Sequence, residues 1–314
     1  MKAMLIRKYG GPEVFEYGDI ELPEIEENEV LVKVEGSSVN PVDAGIRKGM
    51  LKSFVRLQLP AVLGVDAAGE VVKVGKMVTH FNKGDKVYAF SGIRKNGGYA
   101  EYIAIPESYV AHSPKNIPID EVGTVPGVGM TAMEAFSIHA PLKPGMKVLI
   151  NGASGGVGTY AVQIAKYYGA VVTAVCAQRN IPLVKELGAT VAVDYATENI
   201  LETSERFDVI LNSVRANNNL RFKKLLKPGG KLLVIAGNPP EIILLKISNL
   251  FSSKKAKMFF VKTSGNILRQ LTGLIETGKV RPVIEKIYSL KELAAAHKHM
   301  ENGKVTGKIA IKVE

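Results

Sequence analysis

The sequence predicts an α/β protein with two domains, one of them built on a doubly wound parallel sheet. Three observations lead there. Residues 147–166 read as an apolar strand, a glycine-rich turn and a helix. Strand-like and helix-compatible segments then keep alternating through residues 124–264. Residues 1–123, in contrast, are a succession of short strand patterns broken by glycine.

In chain order, a short strand pattern opens the chain at residues 1–7, and residues 29–35 carry apolar side chains at alternate and central positions. Val71-Val72-Lys73-Val74 runs into Gly75, residues 85–90 follow Gly84, and Gly97-Gly98 reads as a turn before a strand ending at Ile103. Recurring turns between short β-type runs are the pattern of a barrel or sandwich. In the second zone the strands are Val148-Leu149-Ile150, residues 171–175, 190–195, 208–212 and 231–235. Right-handed crossovers between parallel strands put helices on both faces of such a sheet. Residues 266–277 form a helix pattern that Gly278 can end, followed by a strand at 283–288, a helix at 290–300 and a strand at 309–313. This tail closes back on the first zone. The expected division is therefore 1–123, 124–264 and 265–314, the last completing the first domain. Residues 241–251, with Ile242, Ile243, Leu244, Leu245, Ile247, Leu250 and Phe251, read as an amphipathic helix near the substrate cleft, or as a patch that touches a membrane.

The chemistry is concentrated in Gly152-Ala153-Ser154-Gly155-Gly156-Val157-Gly158. N–H groups at the start of a helix point outward beside the positive end of its dipole, which suits a pyrophosphate. Gly155 leaves room for that group, and Gly158 allows the helix to pack closely on the strand, while Ala153 departs from the first glycine of the dinucleotide fingerprint. About 20 residues further on, a site for NAD carries an acid for the ribose hydroxyls. Here the chain reads Cys176-Ala177-Gln178-Arg179-Asn180. Arg179 offers a fork of donors to a 2′-phosphate, so the pattern favours NADPH over NADH. Gly152-Ala153-Ser154-Gly155-Gly156 also fits the nucleophile elbow of a serine hydrolase, but an elbow explains neither Gly158 nor the long β-type segment that precedes it.

Composition sets the outer limits. The chain of 314 residues, 46% hydrophobic and 23% charged, has the make-up of a soluble globular protein with a sizeable core. The N-terminus shows no signal region, and no segment approaches the roughly 18 consecutive apolar residues of a membrane span. The single cysteine excludes a disulfide framework and a cysteine-rich zinc lobe and points to the cytoplasm. The formal charge of +11 comes from scattered lysines, with one compact cluster at Lys254, Lys255 and Lys257 and no aromatic interleaving, so no nucleic-acid partner is expected.

Together with this zone order and glycine turn, Val39-Asn40-Pro41-Val42-Asp43, Gly64-Val65-Asp66-Ala67-Ala68-Gly69 and Gly127-Val128-Gly129-Met130-Thr131-Ala132 resemble the medium-chain dehydrogenase/reductase superfamily. Residues 176–180 and Val193-Asp194-Tyr195 are similar to its zinc-free quinone oxidoreductase branch, in particular the plastid-envelope homologues and enone reductases. The resemblance covers essentially the whole chain. It implies a GroES-like β-barrel catalytic domain and a Rossmann cofactor domain. Where the superfamily's zinc enzymes place metal ligands, this sequence has Asn40, Val65 and Gly127, none of which fits a zinc site. His80, His112, His139, His297 and His299 form no zinc-protease pattern and are expected at the surface.

Without a Lewis acid, saturated ketones are poor hydride acceptors, whereas quinones and conjugated enals or enones need little help. The resemblance thus implies hydride transfer from NADPH to such an acceptor, in a cleft between the domains. It places Asn40 and Thr131 near the nicotinamide, with Asn40 able to bond a substrate oxygen. Ser154, Gly155, Gly156, Val157 and Gly158 fall at the pyrophosphate, and Arg179 and Tyr195 at the 2′-phosphate or ribose. Cys176 and Ser213 line the cofactor, Ala236, Gly237, Phe260 and Val261 hold the carboxamide, and Lys308 lies near the phosphates. Asp43 and Asp66 are read as structural, satisfying backbone donors or an ion pair. No residue stands out as proton donor, which leaves that role to solvent. Family members pair edge strands of their cofactor domains, so a homodimer through residues 258–263 is expected. The basic surface leaves a second class open, an NADPH-binding sensor that engages RNA or a membrane without turnover.

Overall fold

The structure is a computed structural model and describes residues 1–215, 218–235, 237 and 239–314. The chain divides into two compact units. One comprises Met1–Met130, Lys262–Gly278 and Pro282–Glu314, the other Thr131–Val261 and Lys279–Arg281.

The second unit is organised around short β-branched and aliphatic runs, such as Val148-Leu149-Ile150, that bury as strands. Lys147–Asn151, Val171–Cys176, Val191–Asp194, Phe207–Asn212, Leu226–Val234 and Lys255–Met258 form one parallel sheet. Numbered one to six in that sequence, the strands lie in the spatial order 3-2-1-4-5-6, the doubly wound arrangement of dinucleotide-binding domains. Val148, Leu149 and Ile150 on the central strand are fully buried. Each such side chain contributes about 1.5–3 kcal/mol relative to its exposed state. The chain reverses its order between the first and fourth strands, and the crevice at their carboxyl ends is where ligands bind in such sheets.

In the first unit, Glu29–Ser38 is the hub of a seven-stranded sheet. It pairs antiparallel with Asp66–Val74, Tyr102–Pro106 and the last strand, Lys308–Lys312. Lys2–Ile6 belongs to a three-stranded sheet with Phe15–Asp19 and Ala61–Val62. Both sheets face one apolar core containing Ile6, Val32, Val34, Leu63, Ile105 and Ile311.

Helix Pro239–Leu250 buries Leu245 and turns the opposite face outward. Ile243, Leu244, Ile247 and Leu250 are 50–77% exposed, as is Phe251 at 85%. Among the described residues no helix is long and apolar enough to cross a membrane.

Candidate functional site

The strand Lys147–Asn151 leads through Gly152–Gly155 into helix Gly156–Tyr167, whose N-cap is Gly155. The turn is pinned from behind, because the N–H groups of Gly152 and Ala153 donate to the Val175 carbonyl at 3.1 and 3.0 Å. Gly152 has φ +81°, a left-handed conformation that favours glycine. A Cβ on Gly158 would lie 2.1 Å from the Gly152 carbonyl oxygen, so only glycine lets helix and turn approach this closely. Gly155 differs. A Cβ there would meet no protein atom nearer than 3.5 Å. Nothing within the chain requires a glycine at 155, and the space in front of it suits a group brought by a ligand. The first-turn N–H groups at Gly156, Val157 and Gly158 have no acceptor within an ideal helix and carry its positive pole. These residues fit a pyrophosphate.

Ser154 Oγ accepts a hydrogen bond from Asn180 Nδ2 at 2.9 Å. A hydrolase nucleophile needs a base that accepts its proton, whereas Asn180 donates, so the arrangement favours the nucleotide reading. Strand Val171–Cys176 ends in register with Asp194 of its neighbour. The loops beyond these two ends bring Arg179 and the 66%-exposed Tyr195 to one edge of the sheet. Burial and the Asp194 carboxylate push the Cys176 thiol above its usual pKa, which keeps it protonated. At the order reversal, Ser213 Oγ donates to the Asn151 carbonyl at 2.8 Å. Behind it, Asn151, Asn212 and Asn219 are linked amide to amide at 2.8 and 2.7 Å, and Asn219 donates twice to the buried Glu241 at 2.7 and 2.8 Å. This polar chain ties the start of helix Pro239–Leu250 to the crevice. Gly237 follows the fifth strand, Phe260 is exposed beyond the sixth and Val261 is half-buried. Ala236 lies outside the described residues. Thr131 is buried in helix Pro126–Glu134, which widens into a π-type turn at Ala135–His139.

The first unit holds a buried polar cluster around Asn40, the N-cap of helix Pro41–Arg47. Asn40 Nδ2 donates to Asp66 Oδ2 at 2.8 Å, and Asn40 Oδ1 accepts from Lys308 Nζ at 2.7 Å. Asp66 also accepts from Ser38 Oγ at 2.6 Å and from the Gly127 N–H at 2.7 Å. Lys308 gives a second bond to the Val39 carbonyl at 2.8 Å and is 4% exposed. Its ammonium is turned inward, onto the Val39 carbonyl and Asn40 Oδ1. Burial lowers the Lys308 pKa, against the pull of Asp66 and Asp43.

A correction concerns His297, expected at the surface and in fact fully buried. Its ring packs 4.8 Å from Phe15 and 5.7 Å from Tyr99 between centroids, and Arg47 Nη1 lies 2.8 Å from its Nδ1. Burial and the Arg47 charge lower its pKa to about 3, so the ring is neutral and Nδ1 accepts from Arg47. Nε2 then carries the proton and faces Tyr99 Oη at 3.3 Å, while that hydroxyl lies 3.0 Å from Asp43 Oδ2. Arg47 is neutralised by an ion pair with Glu301.

Asp43 Oδ2 also accepts the Asn40 N–H at 3.0 Å, but its fully buried Oδ1 has no hydrogen-bond partner. Burial and the nearby Asp66 charge raise the Asp43 pKa to about 7. The folded protein therefore binds a proton there that an unfolded carboxyl, at its ordinary value of 3.8, has released. The Asp43 contribution to stability falls as pH rises from 3.8 to about 7. Asp43→Asn removes this dependence while keeping an acceptor for Asn40 and Tyr99. Melting curves should show the variant gaining on the parent protein as pH rises across that interval, with a plateau above it. A difference independent of pH would refute the buried proton.

The fold and the glycine turn define a dinucleotide-binding α/β unit carried on the same chain as a β-rich unit. Comparison with known proteins makes this specific. The alcohol dehydrogenase GroES-like domain family matches residues 26–119, and the zinc-binding dehydrogenase family matches residues 187–311. The Arabidopsis thaliana protein named NADPH-dependent alkenal/one oxidoreductase, chloroplastic, is 34% identical over 324 residues, covering 99% of this chain and 79% of its own. The chloroplast envelope quinone oxidoreductase homolog of the same plant is 34% identical over 323 residues, covering 99% of this chain and 98% of its own. The solved quinone oxidoreductase of Coxiella burnetii superimposes with a TM-score of 0.91 at 30% identity, over 100% of this chain and 99% of that one. The chain belongs to the medium-chain dehydrogenase/reductase superfamily, in its quinone oxidoreductase branch.

Proposed function

We propose that this protein is an NADPH-dependent reductase of quinones or of α,β-unsaturated aldehydes and ketones. The observation that carries the reading is the turn at Gly155, open in front and backed by helix N–H groups, in a chain whose relatives are named quinone and alkenal/one oxidoreductases. When bound, NADPH would supply a hydride to the β-carbon of an enone, with negative charge developing on the carbonyl oxygen of the enolate and a proton from water completing the reduction at the α-carbon. Gly155 to Gly158 hold the pyrophosphate, with Ser154 beside it. Arg179 and Tyr195 take the 2′-phosphate edge. Cys176 and Ser213 flank the nucleotide at the crevice, and Gly237, Phe260 and Val261 supply backbone toward the carboxamide. Thr131 faces the nicotinamide in this reading, and Asn40 donates to the acceptor's oxygen. Residues 1–123 with 265–314 serve the acceptor, and residues 124–264 serve the cofactor.

The test follows absorbance of reduced nicotinamide with a small quinone, a short enal and a long-chain enone. Oxidation that depends on one of these acceptors and runs faster with NADPH than with NADH is expected. Tight NADPH binding with none of the three consumed would favour a sensor instead.

The same reading includes a homodimer and peripheral contact with an anionic membrane, in a cytoplasmic protein with one buried cysteine. Strand Lys255–Met258 is an open edge of its sheet, so residues 258–263 can extend the pairing to a second copy. The exposed stripe on helix Pro239–Leu250 lies beside Lys246, Lys254, Lys255 and Lys257 in sequence. Light scattering with and without anionic vesicles should report twice the 33.9 kDa chain mass and then co-migration; a monomer that ignores vesicles refutes both.

A further inference from the structure

The Asn40 carboxamide is held at both ends by groups that can bond in only one sense. A lysine ammonium only donates and an ionised carboxylate only accepts. Lys308 must therefore face Asn40 Oδ1 and Asp66 must face Nδ2, as the distances of 2.7 and 2.8 Å have it. The flipped amide would set two donors against each other at one end and two acceptors at the other. The holders are themselves held, Lys308 by the Val39 carbonyl and Asp66 by Ser38 and the Gly127 N–H. Asn40, Asp66, Lys308 and Ser38 are all at most 5% exposed, so water does not compete for these bonds.

Asn40 Nδ2 has two hydrogens, and Asp66 takes one. We infer that Lys308 and Asp66 are positioning residues that lock the Asn40 carboxamide and aim its second N–H at the acceptor's oxygen. The inference rests on the reductase reading for its use in catalysis, but the lock itself is a property of the first unit. The ammonium draws electron density from the amide oxygen, which makes the remaining N–H a stronger donor. A fixed donor aimed where charge develops commonly accounts for about 10²–10³ in kcat. It does so without binding the uncharged acceptor more tightly, so the effect falls on kcat.

The experiment uses the full-length protein with NADPH and an enone, in the parent, Lys308→Met, Lys308→Arg and Asp66→Asn forms, each checked by melting. Lys308→Met should lower kcat about 100-fold, leave NADPH affinity within about twofold, and raise the primary isotope effect seen with 4-deuterated NADPH. Lys308→Arg, which keeps a cation, should recover part of the loss. Unchanged kcat would overturn the inference. So would loss of NADPH affinity at constant kcat, which would return Lys308 to the phosphates. Asparagine-selective ¹⁵N NMR supplies a readout that needs no turnover. The two Asn40 amide protons should be widely separated in the parent protein and converge in Lys308→Met and Asp66→Asn. If they are alike in all forms, the lock does not exist. If the parent protein consumes no acceptor, the reductase reading and the catalytic use of Asn40 fail together, while the spectra still decide the lock.

Discussion

Arg179→Ala should weaken NADPH binding by about 10- to 30-fold and change NADH binding by less than about twofold. A hydrogen bond to a charged group contributes about 1.5–3 kcal/mol. Arg179 is exposed, so solvent screens the interaction and places the effect toward the lower end. The discrimination should shrink as ionic strength rises. Measured KM values for both cofactors at two salt concentrations check this. Equal losses for NADPH and NADH would show that Arg179 supports the loop and does not read the 2′-phosphate.

The glycine turn yields a paired prediction of still larger effect. Gly158→Ala sets a Cβ 2.1 Å from the Gly152 carbonyl oxygen and 2.7 Å from Ala153 backbone atoms. Both obstacles are backbone, and the turn is fixed by the Val175 carbonyl, so no flexible side chain can move aside. Overpacking of this kind costs about 3 kcal/mol or more. Gly155→Ala meets nothing nearer than 3.5 Å and should change stability by less than about 1 kcal/mol. Its methyl group would stand where the pyrophosphate is proposed to sit, and NADPH affinity should drop at least about tenfold. Thermal melts without cofactor, followed by fluorescence titration with NADPH, separate the two. If Gly155→Ala binds as well as the parent protein, the pyrophosphate is not in front of Gly155.

The parallel sheet was the most legible part of the chain. A fully buried strand must be apolar on both faces, and the run Val148-Leu149-Ile150 shows itself within Lys147–Asn151 for that reason. The helix expected at 266–277 is Gly265–Glu276, with Ser264 as its cap. Strand Leu226–Val234 was legible only in its second half. Its register breaks between Phe207 and Val209, and Gly229 there has φ +76°, so Pro228-Gly229-Gly230 reads locally as a turn although the strand resumes beyond it. The cluster around Asn40 was not legible. Lys308 is 268 residues from Asn40 and His297 is 250 from Arg47. Their side-chain types suit a surface helix or a solvated strand end as well as a core. Lys308 is buried by the return of the last strand to Glu29–Ser38, and His297 by the packing of helix Leu293–Glu301 beside Phe15, Tyr99 and Arg47; no local periodicity encodes either.

The same return has a consequence for the order of assembly during synthesis. Domains generally fold as units while the chain emerges from the ribosome. The second unit is nearly continuous, because Thr131–Val261 supplies its whole sheet. The first unit is completed last, since Glu29–Ser38, already paired with Asp66–Val74 and Tyr102–Pro106, lacks its third partner until Lys308–Lys312 has been made. Lys308 arrives on that same strand. A nascent chain stopped short of it would already display a finished nucleotide fold, yet Asn40 would be left without its cation. On the proposed role of Lys308, capture of NADPH becomes possible earlier in the life of the chain than chemistry, and the late strand is the step that arms the enzyme.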